Sequence, residues 1–269
     1  MGMRINQTNP ALPAARQAGT AAKALNKNLT ALASGLRIGQ AADDAAGLAI
    51  AEGLRARVRQ FTRESGNLQS GISMIQTAEG GLSAQQEGVG RQRELATQAA
   101  NGTLTNDQRA ALQTEAQQVL EQIEATAQGT EFNGRQLLNG TAAETELGVE
   151  GGARVEIQSS TLADLGLEGI NLSTQEGAAA AVEALEQAGE QISGNQALLG
   201  AQQNRLERAV EVREAGAEAL TEAESRIRDV DVARAAIERS RNEVLLQASF
   251  GAITQSNLGP QMASRLLGL

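Results

Sequence analysis

A seven-residue apolar repeat runs through long stretches of this 269-residue chain. In the first stretch, apolar residues recur at alternating spacings of three and four: Ala15, Ala18, Ala22, Leu25, Leu29, Leu32 and Leu36. In the second, one row of the repeat reads Leu54, Phe61, Leu68, Ile75, Leu82, Val89 and Ala96. Such a repeat keeps its side chains on one narrow stripe of a helix, which packs against another helix. The pattern predicts long helices packed side by side, one of them about 60 Å long at about 1.5 Å per residue.

Aromatic residues are scarce: the chain has Phe61, Phe132 and Phe250, with no Trp and no Tyr. Since aromatic side chains bury the largest areas in compact cores, this composition argues against an ordinary globular domain and favours long helices. His and Cys are absent, which removes the commonest general base, the commonest metal ligand and the thiol nucleophile. The composition therefore predicts a protein that is not an enzyme and has no cofactor or metal site.

Charge and hydropathy exclude two kinds of partner, nucleic acid and the membrane interior. The formal net charge is −9 and only Lys23 and Lys27 are lysines, so binding to nucleic acid is not expected. The longest apolar stretches, such as residues 45–51, fall far below the roughly 18 residues of a membrane span, so no membrane insertion is expected. Residues 1–6 turn polar at once and lack the apolar core of a secretory signal. If the protein leaves the cell, we expect export without a cleaved signal peptide.

Local signals set the first helix boundaries. The first helix is predicted over residues 11–38, with a break at residues 39–42. Asp43 and Asp44 stand where an N-cap and a first-turn acid would begin the second helix. Capping is favoured over a metal site here, because no third type of ligand is near.

The second helix is predicted to bend at residues 80–81 and to end at residues 101–102, where glycines follow the apolar pattern. Thr105 and Gln108 have the spacing of a capping box and so predict the start of a third helix. One face of that helix carries Leu112, Ala116, Val119 and Ile123.

The helical period disappears between about residues 129 and 173, where glycine becomes frequent. Residues 146–150 and 154–158, separated by two glycines, predict a short β-hairpin. Helical periodicity returns near Gln175 and is predicted to continue until Gly259 and Pro260 stop it.

The predicted fold class is mainly α, with long antiparallel helical rods or coiled coil and a small β-hairpin region. Residues 1–42 and 230–269 are predicted to form the two halves of an inner helical domain. Residues 43–229 are predicted to form a rod-shaped helical core domain, with the hairpin inserted at about residues 130–173.

The chain ends carry too few large apolar side chains to become ordered alone. The first helix offers only Leu12, Leu25, Leu29, Leu32 and Leu36, while fixing its backbone costs much conformational entropy. Both ends are therefore expected to become ordered when neighbouring subunits cover them, as in coupled folding and assembly. The predicted polymerisation seam consists of Leu25, Leu29, Leu32, Leu36, Val244 and Ala248.

Seven motifs, in order, resemble those of bacterial flagellins and cover both ends of the chain. They are SGLRI with ADDAAGLAIAE (34–38 and 42–52), QTAEG (76–80), RELA (93–96), TEFNG (130–134), GAQQNRL (200–206), ESRIRDVD (224–231) and LL (266–267). The resemblance implies a structural subunit that polymerises into the extracellular filament of the flagellum, with an inner tube of chain ends. It also implies export through the flagellar type III apparatus and, as partners, an export chaperone at the C-terminal helix, a filament cap and hook-junction proteins. About 35 residues separate Leu138 from Gln175, so the chain resembles a short flagellin without outer variable domains.

The resemblance further implies sensing by a host Toll-like receptor through the second helix. Arg91, Leu95 and Glu115 match receptor-contacting positions of the family. Gly90 and Gln92 depart from its pattern, so signalling is expected to be weaker than usual, and Gln92→Ile is expected to strengthen it.

Two other classes of protein compete with this reading. A flagellin-like hook–filament junction protein shares the terminal helices, but its comparable segment usually has Pro after the paired Asp, where this chain has residues 45–47, Ala-Ala-Gly. A signalling coiled coil such as a chemoreceptor cytoplasmic domain would need an attached membrane span or ligand domain, and the hairpin fits it poorly.

Overall fold

The computed structural model describes residues 11–266 of the chain, with side chains described to residue 256 and at Leu258. Its helices are α1 (Ala11–Ser34), α2 (Ala45–Ala99), α3 (Asn106–Gly129), α4 (Gln175–Arg228) and α5 (Val232–Leu266). Its strands are β1 (Glu131–Phe132), β2 (Arg135–Gln136), β3 (Glu144–Glu146) and β4 (Arg154–Glu156), which form two antiparallel two-stranded sheets. The predicted fold class, mainly α with small β-hairpins, is confirmed.

The chain divides into two compact units. The terminal unit comprises residues 1–58 and 218–269, and the central unit comprises residues 59–217. The helix breaks at residues 35–44 and 229–231 lie close to the predicted domain boundaries, whereas the compact units divide inside α2 and α4. The division into domains at residues 42/43 and 229/230 stays a prediction.

The core of the central unit lies along the predicted apolar row of α2. Five members of that row are buried: Leu68, Ile75, Leu82, Val89 and Ala96. Side chains of α3, α4 and the β segment, such as Ile123, Leu185 and Leu138, complete the same cluster. The seven-residue period therefore identified the packed side of this helix correctly.

Glycines of α2 allow neighbouring segments to approach it closely. A Cβ at Gly81 would lie 2.5 Å from Thr130 Oγ1 and 2.8 Å from Leu138 Cδ1, and one at Gly88 would lie 2.7 Å from Ile123 Cγ1. α2 runs through Gly80 and Gly81 as one uninterrupted helix. Gly81 thus serves close packing and does not interrupt the helix.

The predicted capping at the start of α2 is present, and Asp43 and Asp44 have different roles in it. Asp44 Oδ1 accepts a hydrogen bond from Gly47 N at 2.9 Å, as an N-cap does. Asp43 Oδ2 accepts from the amides of Gly39 and Gln40 at 3.2 and 3.3 Å. Asp44 therefore caps the helix, and Asp43 fixes the preceding turn.

Two sets of hydrogen bonds stabilise the turn between α2 and α3, and only one of them was predicted. The capping box of Thr105 and Gln108 is confirmed, since each side chain bonds the other's backbone N–H. The buried side chain of Arg109 also donates to the carbonyl oxygens of Ala99 and Asn101, both at 2.9 Å. Those two bonds satisfy acceptors at the end of α2, which a helix leaves without intrahelical partners.

The β segment differs from its prediction. Residues 131–136 form an additional hairpin, with Asn133 and Gly134 at positive φ (51° and 76°) as in a two-residue loop. The second hairpin pairs Glu144–Glu146 with Arg154–Glu156, so the prediction of a strand at residues 146–150 is wrong. Positive φ values at glycines 148, 151 and 152 turn that stretch into the connecting loop.

Both predicted helix boundaries around the terminal unit's linkers are wrong. α1 ends at Ser34, four residues before the predicted position, because Gly35 adopts the left-handed conformation with φ 73°. The C-terminal helix is interrupted at residues 229–231, where Leu36 forms an antiparallel bridge with Asp229. α5 then restarts with Asp231 Oδ1 accepting from Arg234 N at 3.0 Å.

The predicted stop at Pro260 is also wrong, since α5 extends to Leu266. A proline inside a helix removes one i→i−4 hydrogen bond, and the bonds on either side remain available to continue the helix.

Candidate functional site

α1 and α5 pack against each other with few large side chains between them. The buried residues of these two helices are mostly small: Ala18, Ala21, Ala235 and Ser249. The Ser249 hydroxyl donates to Leu245 O at 2.7 Å within its own helix. This helix pair therefore buries little apolar area inside one subunit.

Large apolar side chains of the terminal unit face outward instead. Of the ten that are exposed in the described part of the chain, eight belong to this unit: Leu12, Leu29, Ile50, Val232, Ile237, Val244, Phe250 and Leu258. The other two, Leu198 and Val212, lie on α4 in the central unit. Exposed apolar surface concentrated in one region is typical of a protein–protein contact.

The six residues of the predicted seam have unequal environments. Leu29 and Val244 are 45% and 64% exposed, and Ala248 is also exposed. Leu25 and Leu32 are half-buried on α1. Leu36 does not belong to the helical row, because it lies beyond Gly35 in the bridge to Asp229. The seam thus comprises three exposed side chains, two half-buried ones on α1, and Leu36, which lies outside both helices.

Two of the flagellin-like motifs meet in this bridge. Arg37 N donates to Arg228 O at 2.6 Å, and Val230 N donates to Gly35 O at 2.9 Å. The Arg37 side chain also donates to Ile227 O at 2.5 Å. We call residues 35–37 and 228–230 the linker bridge, which joins the segment after α1 to the segment between α4 and α5. Sequence periodicity gives no signal for such long-range backbone pairing.

The Lys27 ammonium contacts Asp43 at 2.9 Å and connects α1 to the turn before α2. The hydrogen bond from Lys27 lowers the pKa of the Asp43 carboxyl below its usual value, and the amides of Gly39 and Gln40 lower it further, against the effect of desolvation. A depressed folded-state pKa stabilises the fold above the unfolded pKa of about 3.9, and this stabilisation is lost as pH falls through the folded pKa.

We expect Lys27→Met to raise the pKa of Asp43, because its main stabilising partner is removed. Carboxyl carbon NMR titration of the monomer measures this value directly. Lys23→Met, four residues earlier on the same helix, is the matched control. An equal shift in both variants would show that general charge, and not the Lys27 contact, sets the pKa.

A buried ion pair that the sequence did not predict lies at one end of the central unit. Arg213 Nε of α4 lies 2.7 Å from Glu64 Oε2 of α2, and the Glu64 side chain is 6% exposed. Glu64 Oε1 also accepts from Gln60 Nε2 at 2.8 Å. Arg213 donates to Glu150 O at 2.6 Å, and its guanidinium carbon lies 5.2 Å from the ring centre of Phe61. This cluster joins two helices and the β3–β4 loop.

The three predicted receptor residues are not on one surface. Arg91 and Glu115 are partly exposed and form an ion pair of 2.5 Å, and Arg91 also contacts Glu94 at 2.9 Å. Leu95 is 1% exposed within the core, so its predicted role as a receptor contact is wrong for the folded subunit. Gln92 is fully buried and donates to Ala116 O. α2 buries side chains over a broad face here, because it packs in the central core with both α3 and α4.

Within residues 11–266, no group of three or more His, Cys, Asp or Glu side chains is arranged to hold a metal ion. Over the same part of the chain, no helix has the length and apolar character needed to cross a membrane.

Long packed helices, with exposed apolar side chains on α1 and α5, are typical of a subunit that assembles into a polymer through its helices. Residues 5–143 match the bacterial flagellin N-terminal helical region, and residues 182–267 match the bacterial flagellin C-terminal helical region. The chain belongs to the bacterial flagellin family. It is a structural subunit of the flagellar filament and not an enzyme.

Relatives match it along their whole length. A flagellin of Halalkalibacterium halodurans is 39% identical and one of Bacillus subtilis is 37% identical, each match covering 98% of this chain and 100% of the relative. A flagellar filament 33 kDa core protein of Treponema phagedenis is 36% identical with the same coverage. These names favour a filament subunit over a junction protein. A putative flagellar hook-associated protein from Vibrio parahaemolyticus shares the fold, with TM-score 0.60, 16% identity, and coverage of 69% of this chain and 99% of that one.

Proposed function

We propose that this flagellin polymerises through the exposed apolar side chains of α1 and α5. The observation that carries the proposal is the contrast between the two units. The central unit buries a continuous cluster of large side chains, whereas the terminal unit leaves Leu29, Val244 and Phe250 exposed. Full burial of each such side chain against a neighbour contributes about 1.5–3 kcal/mol.

The same contrast supports an inner layer formed by residues 1–42 and 230–269. In this arrangement residues 43–229, with the β insert at about residues 130–173, form the surrounding layer. The helix breaks at residues 35–44 and 229–231 support these boundaries, because they separate α1 and α5 from the longer helices.

The ends of the free monomer are expected to open readily, since α1 and α5 bury mainly small side chains. Trypsin should therefore cut the monomer first at Lys23 and Lys27 in α1 and at Arg239 in α5, and leave a core of about residues 43–229. Filaments grown from seeds should protect the same bonds, because neighbouring subunits cover them. The readout is mass spectrometry of monomer and pelleted filament treated in parallel. If the chain ends resist trypsin as well in the monomer as in the filament, assembly-coupled ordering is refuted.

The partners implied by the family fit the same surface. α5 exposes Ile237, Val244 and Phe250, which need cover between synthesis and assembly. We therefore propose that an export chaperone binds α5, that the chain leaves the cell without a cleaved signal peptide, and that it joins the extracellular filament beneath a cap and beyond hook-junction proteins.

Recognition by a Toll-like receptor is proposed to use Arg91 and Glu115, with Leu95 excluded by its burial. Arg91→Ala is expected to lower reporter-cell responses to monomer, because it removes an exposed cation. Arg93→Ala, which removes another exposed arginine of α2, is the control. Gln92→Ile is now expected to change stability and not signalling, since Gln92 is buried. The proposed receptor contact is contradicted if Gln92→Ile increases signalling, or if Arg91→Ala leaves signalling unchanged.

A further inference from the structure

We propose that the flagellin is spontaneously modified by deamidation at Asn133, in preference to its two other Asn-Gly sites. The sequence contains three Asn-Gly pairs, at residues 101–102, 133–134 and 139–140. Glycine after asparagine leaves the backbone nitrogen sterically open, so local structure decides which pair reacts.

The reaction needs only solvent water. The Gly134 nitrogen attacks Asn133 Cγ, the bond from Cγ to Nδ2 breaks, and the nitrogen leaves as ammonia with the proton that Gly134 loses. The resulting cyclic imide takes up one water at either carbonyl. Opening gives aspartate or isoaspartate at position 133, with no oxidation or reduction.

Asn101 and Asn139 share a restraint that holds their side-chain carbonyls. Asn101 Oδ1 accepts from Thr103 N at 3.0 Å and from Thr103 Oγ1 at 2.9 Å. Asn139 Oδ1 accepts from Thr141 N at 3.1 Å and from Thr141 Oγ1 at 2.7 Å. The amide nitrogen of Asn139 also donates to the Gln136 side chain. Turning Cγ of either asparagine toward the glycine nitrogen requires breaking these bonds.

Asn133 has no comparable restraint. Its side chain is exposed and makes no hydrogen bond with any of the described residues. A Cβ on Gly134 would find no described atom within 4 Å, so the nucleophile is open on that side. The pair forms the loop of a hairpin with two residues in each strand, and such a small sheet opens readily.

The product alters the turn in a defined way. Aspartate adds one negative charge to a chain that already carries −9, and isoaspartate lengthens the backbone between β1 and β2 by one carbon. Phe132, which precedes the site, packs against the central core. Isoaspartate is therefore expected to loosen the hairpin without dissolving the helices.

Trypsin separates the three sites, because it cuts after Arg93, Arg109, Arg135 and Arg154. The full chain is kept folded at 37 °C and mildly alkaline pH, and the three peptides are followed by mass spectrometry. We expect Asn133 to react at least about fivefold faster than Asn101 or Asn139, the factor for breaking one hydrogen bond of about 1 kcal/mol. In urea the three rates should converge, since the restraints disappear.

Thr103→Val and Thr141→Val provide the second measurement in the folded chain. Each should speed its own asparagine by removing the hydroxyl bond, while leaving the rate at Asn133 unchanged. The proposal is overturned if Asn101 or Asn139 matches or exceeds Asn133 in the folded protein. It is also overturned if the difference of about fivefold persists in urea, where the restraints are absent.

Discussion

Leu29→Asp is expected to abolish filament growth while the central unit keeps its helices. Leu29 is half-exposed on α1, so a carboxylate there is tolerated by the free subunit. In the polymer, the charge would have to leave water against packed apolar side chains, at a cost of several kcal/mol in every subunit. Seeded growth followed by sedimentation and electron microscopy measures the result, and circular dichroism measures the helices.

Leu198→Asp is the matched control, because Leu198 is 50% exposed, close to Leu29 at 45%, but lies in the central unit. It should retain far more polymerisation than Leu29→Asp. Leu32→Asp should also block assembly, with an additional loss of α1 order because Leu32 is half-buried in the subunit. Normal filaments from Leu29→Asp would show that this position is no assembly contact.

Arg213→Met should produce the largest stability loss in the central unit. It leaves the Glu64 carboxylate buried without its cationic partner, and breaking a buried ion pair in this way costs about 3–5 kcal/mol. Loss of the bond to Glu150 O and of the contact with Phe61 acts in the same direction. Urea unfolding followed by circular dichroism gives the free energy of unfolding.

Two variants separate the buried charge from other causes. Arg91→Met removes one arginine from an exposed pair with Glu115 and should cost far less stability, because solvent screens exposed ion pairs. Adding Glu64→Gln to Arg213→Met should recover part of the loss, because a neutral amide is easier to bury than an unpaired carboxylate. No recovery in the double variant would mean that packing, and not charge, explains the effect.

Periodicity and local hydrogen-bond chemistry were sufficient for much of the fold. The α2 row from Leu68 to Ala96 could be predicted because one repeat marks one buried side of a helix. Asp44 and the Thr105–Gln108 box could be predicted because caps act within four residues. These signals are complete within a short stretch of sequence.

The errors arise where distant segments decide the structure. The interruption of the C-terminal helix at Asp229 depends on pairing with Leu36, and apolar periodicity carries no record of that partner. Leu95 was assigned to a receptor surface from its match to a family position, whereas the core that α2 forms with two other helices buries it. The Glu64–Arg213 pair was missed for the same reason, since its members are far apart in sequence.

The linker bridge has a consequence for how identical subunits stay interchangeable. Because residues 35–37 are bonded to residues 228–230, α1 and α5 leave this point at a fixed offset along each other. One residue inserted at position 38 is accommodated on the α2 side, whereas one inserted between Ser34 and Gly35 would displace α1 by up to about 3.5 Å. That is more than twice the rise per residue of a helix, about 1.5 Å, so Ala18 and Ala21 would meet different residues of α5. The length of the connection between α1 and the linker bridge therefore fixes the alignment of α1 with α5, so that every copy presents its two terminal helices in the same register.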